Sequence, residues 1–145
     1  MNFLTADLLH FHFFAESPQA AIKESGRLLV NAGMAEPSYV SAMLASFRDN
    51  GPYFVIAPGI AIAHARPEDG SLGSAVSLVT LKKPVVFGCV ANDPVSVVFG
   101  LSSYSGEEHI QALKKIVVFV NSTSVEDILK IENVKELAIL KGELS

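Results

Sequence analysis

Ala75-Val76-Ser77-Leu78-Val79-Thr80-Leu81 is the stretch on which the reading of the fold turns. Its apolar character is nearly continuous. A strand with one wet face alternates apolar and polar residues, whereas a run like this one belongs to a strand covered on both faces. The flanking sequence supplies the cover. Upstream, Ser17-Pro18 reads as an N-cap followed by proline at the first helical position, opening a helix with Ala21, Ile22, Leu28, Leu29 and Val30 that Gly33 ends. A second helix starts near Pro37, with Val40, Met43, Leu44 and Phe47 at three- and four-residue steps, and Asn50-Gly51-Pro52 stops it. Downstream, Val95–Leu101 is a further strand after the turn Asn92-Asp93-Pro94. Gly106–Val120 then forms an amphipathic helix with Ile110, Leu113, Ile116 and Val117 on one side. Short helices follow over Ser124–Lys130, where Ser124 and Asp127 make a capping box, and over Asn133–Leu140.

The remaining segments are shorter. Asn2–Leu9 is weakly helical, and His10-Phe11-His12-Phe13-Phe14 alternates as a half-buried strand does. Tyr53–Ile56 and Ile60–Ala63 read as short strands separated by a Pro58-Gly59 turn. Helices precede, interleave with and follow strands. The expected fold class is therefore α/β: a mixed β-sheet flanked by helices on both faces, a three-layer α/β/α sandwich. It is mixed because several connections are too short for parallel crossovers. The 145 residues suit a single domain over residues 1–145.

Composition narrows the function. Half the residues are apolar and 18% are charged, enough for one sizeable core. The net charge of -4 disfavours non-specific nucleic-acid binding, which needs a basic face. The mean hydropathy of +0.38 is high for a soluble domain and reads as a large core plus a docking face. Cys89, the single cysteine, lies in the apolar stretch Phe87-Gly88-Cys89-Val90. It reads as a buried small hydrophobe in a reducing cytoplasm. The N-terminus lacks a basic signal region, and no apolar run reaches the roughly 18 residues of a membrane span.

Chemistry concentrates at one histidine. Ile60-Ala61-Ile62-Ala63 runs into His64, and Arg66-Pro67-Glu68-Asp69-Gly70 turns immediately after it. An imidazole at a strand end is held on one side and reachable on the other. Its reference pKa of about 6.5 leaves it a nucleophile near neutral pH. Such a position suits an acceptor of a transferred phosphoryl group, although a lone histidine is more commonly a hydrogen-bonded core residue. His109 opens the amphipathic helix beside Glu107 and Glu108, either as a first-turn surface residue or facing the His64 loop, where the helix N-terminus favours anions. Arg48 closes the second helix, as a dipole-stabilising cation or as a planar fork for phosphate oxygens. Arg66 could serve similarly or be solvated, and Glu68 and Asp69 resemble turn residues more than a catalytic dyad. His10 and His12, two apart on one strand, are expected on the same side, with an exposed edge-strand face favoured over a metal pair. There is no Walker-type glycine loop.

Arg48-Asp49, Ile56-Ala57 and Ile60-Ala61-Ile62-Ala63-His64-Ala65 resemble the active-site signature of type 2 enzyme IIA domains of the sugar phosphotransferase system, the mannitol and fructose superfamily. Gly51–Gly59, His64–Gly70, Phe87-Gly88 and Asn92-Asp93-Pro94-Val95 resemble its ascorbate-type branch more narrowly. The likeness runs from the helix near Ser17 to the helix after His109, and the C-terminal tail matches less clearly. One position departs: the family has proline before the histidine, and this chain has Ala63, which keeps a backbone N–H. The resemblance implies a cytoplasmic phosphotransferase component acting through phosphohistidine. His64 would accept the phosphoryl group on Nε2 from the HPr phosphocarrier protein and pass it to a IIB component, and so indirectly to the membrane IIC transporter, for ascorbate or a related sugar acid. It places His109 and Arg48 at supporting positions, and implies no cofactor, no metal, no nucleic acid and no membrane insertion. An alternative is a stand-alone regulatory module signalling through its phosphorylation state. The absence of a DNA-binding segment before residue 145 favours a stand-alone carrier. A third reading is a metal- or ligand-binding domain using His10, His12 and His64.

Overall fold

The computed structural model describes residues 1–141. The strand quoted above is β5 (Ala75–Val85), central in a mixed sheet with β1 (Asn2–Phe3), β2 (Leu9–Phe13), β3 (Val55–Ala57), β4 (Ile60–His64) and β6 (Val95–Ser102). The order is β1-β5-β6-β4-β3, with β2 continuing along the β5 edge that β1 begins. β5 and β6 are antiparallel, β4 runs parallel to β6, and β3 folds back antiparallel on β4. Five helices cover it: α1 (Pro18–Asn31), α2 (Pro37–Asn50), α3 (Gly106–Ser122), α4 (Val125–Leu129) and α5 (Val134–Leu140). Their starts follow from local chemistry. Ser17, Ser105, Ser124 and Asn133 each accept a first-turn backbone N–H on the side-chain oxygen, satisfying donors the helix leaves open.

The sheet separates two cores. On one face α1 and α2 bury Ile22, Leu29, Tyr39, Met43 and Phe47 against Ala61, Ala63, Val79 and Val98. On the other, α3, α4 and α5 bury Ala112, Ile116, Phe119, Ile128 and Leu137 against Ile60, Ile62, Leu78, Phe99 and Leu101. The expected mixed sheet with helices on both faces is what the chain forms. β4 shows how the two sides are fed: its alanines face the bulky aromatics of the α2 side, and its isoleucines face α3.

Four details differ from the sequence reading. Asn2–Leu9 is not helical beyond a 3₁₀ turn at Ala6–Leu8. The N–H groups of Asn2 and Leu4 donate to Ser74 and Val76 carbonyls at 3.0 and 3.1 Å, so pairing with β5 overrides weak propensity. His10 and His12 do not share a side. A register shift between His10 and Phe13, with His12 at φ 58°, sends His10 to Glu24 on α1 and His12 Nε2 to the Leu129 carbonyl of α4, 3.0 Å away. On α3 the buried stripe is Ala112, Ile116 and Phe119, while Ile110 and Val117 are exposed. Cys89 is half-buried at the margin of the α1–α2 core rather than inside it.

Gly100 marks the closest approach of β6 to α1. A Cβ there would lie 2.9 Å from the Ser25 carbonyl oxygen and 3.1 Å from Ser25 Cβ, and would collide with Ser77 Oγ. Ser77 Oγ itself donates to that carbonyl at 2.8 Å, so the neighbours have nowhere to go. Gly100→Ala is expected to lower stability by about 1–3 kcal/mol, the usual cost of overpacking, read from the urea unfolding midpoint. An unchanged midpoint would mean that α1 can slide off the sheet freely.

Candidate functional site

His64 is the last residue of β4, and alternation decides where it points. Ile60 and Ile62 face α3, so His64 faces it too. Its Nδ1 lies 3.1 Å from the carbonyl oxygen of Ile62. A carbonyl only accepts, so Nδ1 carries the proton and Nε2 is left with its lone pair. The ring is half-buried against the adjacent rings of Tyr53 and Phe54, at centroid distances of 5.6 and 5.1 Å. His109, in the first turn of α3, closes the other side at 5.4 Å with the rings inclined by 61°. The structure therefore brings His64 and His109 together. Burial lowers the pKa of both. For His64 the Ile62 bond opposes that shift and the neighbouring His109 adds to it.

Both imidazoles open onto a cleft of about 600 Å³. Ser105 and Gly106, at the N-terminus of α3, form part of its wall, so the positive end of the helix dipole faces the space beside His64. The α2 wall is polar: Ser46 Oγ and Tyr53 Oη are 2.6 Å apart, and Asn50 Nδ2 is 3.4 Å from Ser46 Oγ. Arg66 and Asp69 form the rim, where Asp69 Oδ2 accepts the Arg66 backbone N–H at 3.0 Å. Asp69 is thus a turn residue, as its setting before Gly70 suggests.

Arg48 is not in this group. Arg48 follows the cleft-lining Ala45 by three residues, about 60° around the helix at roughly 100° per residue, yet does not itself line the cleft. Its exposed guanidinium pairs instead with Asp49, Nε to Oδ1 at 3.0 Å. The expected place beside His64 is not the one the Arg48 side chain takes in this structure, where Asp49 engages it. His10 and His12 are also remote from the cleft, and among the described residues no three His, Cys, Asp or Glu side chains converge as a metal site would require.

Tyr39 escaped the sequence reading. It is buried on α2 beneath the turn after His64. Its hydroxyl donates to the Leu101 carbonyl at 2.6 Å and accepts the Ala65 N–H at 3.1 Å. Burial raises its pKa to about 12, keeping the phenol protonated. The phenol pins the exit of β4 to the end of β6, the strand that pairs His64 with Leu101. The signal was present: Tyr39, Met43 and Phe47 form one apolar stripe, and a phenol inside such a stripe must find polar partners.

Comparison with known proteins gives this geometry a context. The family model for the phosphoenolpyruvate-dependent sugar phosphotransferase system, EIIA 2, matches residues 2–142. The ascorbate-specific PTS system EIIA component of Escherichia coli K12 is 45% identical over 95 residues, 66% of this chain and 62% of that protein. The chain thus spans a little under two thirds of that curated relative's length. Among solved structures, the mannitol-specific cryptic phosphotransferase enzyme IIA CmtB of Escherichia coli superposes with a TM-score of 0.82 at 30% identity, covering 98% of this chain and 96% of that one. The complex of enzyme IIA-mannitol with phosphorylated enzyme IIB-mannitol, also from Escherichia coli, contains a chain matching at a TM-score of 0.84 and 27% identity, over 98% and 99% of the two.

No helix among the described residues is long and apolar enough to cross a membrane.

The two lowered imidazole pKa values fix the sign of a pH effect. Unfolded, both rings take up protons near their reference value of about 6.5, and folded they resist until lower pH. Their contribution to stability is whole above that value and declines as pH falls through it toward the folded pKa values. Urea midpoints should therefore drop on acidification from about pH 8 to pH 5. His64→Gln with His109→Gln should flatten that dependence, and an equal slope in the variant would assign it to other groups. Tyr39→Phe strands the Ala65 N–H and removes the donor to Leu101, and should cost about 1–3 kcal/mol, measured by the same unfolding.

Proposed function

The chain belongs to the EIIA type 2 family of the phosphoenolpyruvate-dependent sugar phosphotransferase system, and from that premise we propose that it is a cytoplasmic phosphoryl carrier. His64 takes a phosphoryl group from the HPr phosphocarrier protein and hands it to a IIB component, which in turn serves a membrane IIC transporter. The observation that carries this reading is the half-buried His64 ring itself, with Nδ1 tied to Ile62 and Nε2 left as a lone pair beside His109 in an open cleft.

The transfer balances without moving a proton. The donor's phosphohistidine ring, protonated on its other nitrogen, carries the group in. Nε2 of His64 attacks phosphorus, the donor P–N bond breaks, and the donor leaves as neutral imidazole. His64 becomes a phosphoimidazolium whose Nδ1–H is already held by the Ile62 carbonyl. In the onward step a deprotonated nucleophile of the IIB component attacks phosphorus, the P–Nε2 bond breaks, and His64 leaves as neutral imidazole with Nδ1 still protonated. A loose phosphoryl transfer of this kind asks the protein for positioning and charge stabilisation rather than acid–base chemistry. The lowered pKa of His64 keeps Nε2 unprotonated near neutral pH. His109 and the N-terminal turn of α3 offer donors to the phosphoryl oxygens.

Tyr53 on the cleft wall and Tyr104, next to Ser105 of that wall, are exposed, an aromatic fringe suited to transient docking of partner proteins. The relative named as ascorbate-specific supports ascorbate or a related sugar acid as the cargo of the system this chain would serve. The IIB-bound mannitol relative supports a IIB component as the receiver.

Incubation with enzyme I, HPr and phosphoenolpyruvate should add one acid-labile phosphoryl group by intact mass, and His64→Ala should abolish it. Persistent labelling of His64→Ala would refute the assignment. His109→Gln should slow uptake by about 100-fold, in line with the loss of one transition-state donor, while the far-ultraviolet circular dichroism stays unchanged. Uptake at the normal rate would remove His109 from the mechanism.

A further inference from the structure

A phosphoryl group on His64 brings close to two negative charges into the cleft, and a cation is needed to meet them. Arg48 does not line the cleft in this structure, where its exposed guanidinium pairs with Asp49. Among the described residues that line the cleft, Arg66 is the one arginine or lysine.

Its backbone is fixed. The Ala65 N–H is held by Tyr39, the Arg66 N–H by Asp69 at 3.0 Å, and Pro67 follows. Its side chain, by contrast, is loosely committed. The guanidinium reaches Asp69 only at 3.4 Å and Glu68 at 3.6 Å, and the side chain is 74% exposed. Charge-assisted pairs close at about 2.7–2.9 Å when they are tight. Arg27, which grips the buried Glu24 through two contacts of 2.7 and 2.6 Å, shows what a committed arginine looks like in this protein. The rim turn does not need the Arg66 guanidinium, since the Asp69 carboxylate keeps the backbone N–H of Arg66 in any case.

Resting on the carrier reading above, we infer that Arg66 is the phosphate clamp of the cleft: its guanidinium leaves Asp69 for the phosphoryl oxygens when His64 is phosphorylated, and returns to Asp69 when the group departs. A planar fork suits two phosphoryl oxygens. Asp69 gives the empty site a resting partner and competes with the phosphoryl group, which keeps the clamp from holding it too tightly for onward transfer.

The test is the equilibrium partition of phosphoryl groups between HPr and this protein, read by intact mass for the wild type, Arg66→Gln and Arg66→Lys at low and high salt. Arg66→Gln should move the partition toward HPr by about threefold to tenfold, the scale of an exposed, charge-assisted contact. Arg66→Lys should recover part of the loss, and the gap should narrow as salt screens the charge. In the wild type, the Arg66 Nε–H resonance should shift on phosphorylation, which decides the matter even if Arg66→Gln does not fold. An unchanged partition in Arg66→Gln, or an unmoved Nε–H signal, overturns the clamp while leaving His64 as the acceptor. Failure of the wild type to take a phosphoryl group at His64 overturns the carrier reading and the clamp with it.

Discussion

A carbonyl oxygen can only accept a hydrogen bond, so the contact of 3.1 Å between Nδ1 of His64 and the Ile62 carbonyl settles which ring nitrogen is protonated. The rest of the site depends on that bond. It fixes the tautomer and limits rotation of the ring. The carbonyl belongs to the residue two positions back on the same strand, so the orientation is set by β4 itself and survives whatever a partner protein does at the cleft mouth. The cost of this placement is partial desolvation of the imidazole, which appears as a lowered pKa for His64 and, less enclosed, for His109. Here the cost is useful, since an imidazole that resists protonation keeps its nucleophilic lone pair.

Positioning His64 is a matter of sheet register. The residue pairs with Leu101 at the end of β6, and the Leu101 carbonyl is tied to the Tyr39 hydroxyl, which also receives the Ala65 N–H. Two neighbouring strand ends are thus held by one buried phenol on α2. α3 follows β6 after a short connection, so its first turn, with Ser105, Gly106 and His109, returns over the same end of the sheet. The two imidazoles meet because one ends a strand and the other begins a helix on the face to which that strand end points. Ala63 lies buried within β4 opposite Gly100. The ladder runs on to the histidine itself, which pairs with Leu101.

The layers, the helix boundaries and the strand-end place of His64 were legible because each rests on a strong local signal: continuous apolar strands, Ser-Pro and Ser caps, and a histidine between an apolar run and a turn. The meeting of His109 with His64 was one of two readings left open for His109. What escaped depended on three-dimensional phase. The bulge at His12 reverses the side of every later residue in β2, and nothing in His10-Phe11-His12-Phe13 announces it. Arg48, one turn after the cleft-lining Ala45, pairs with Asp49 outside the cleft, and a motif read as a linear string does not say which way a long exposed side chain turns. On α3 the buried stripe is Ala112, Ile116 and Phe119, a narrower line than hydrophobicity alone draws, because Ile110 and Val117 fall on the outer face. Tyr39 was visible only as a member of an apolar stripe, and its polar role comes from partners 26 and 62 residues away in sequence.

Charge in the cleft follows the same economy. A site built to retain phosphate would gather several cations and exclude carboxylates. This one has a single exposed guanidinium, a carboxylate beside it, a helix N-terminus, and two imidazoles kept neutral by burial. Each donor is individually modest: exposed ion pairs are worth about 0–1 kcal/mol, and a helix end about 0.3–1 kcal/mol. Summed, they would stabilise a phosphorylated imidazole without making it a sink, the balance that the proposed carrier role needs if the group is to arrive from one partner and leave with the next.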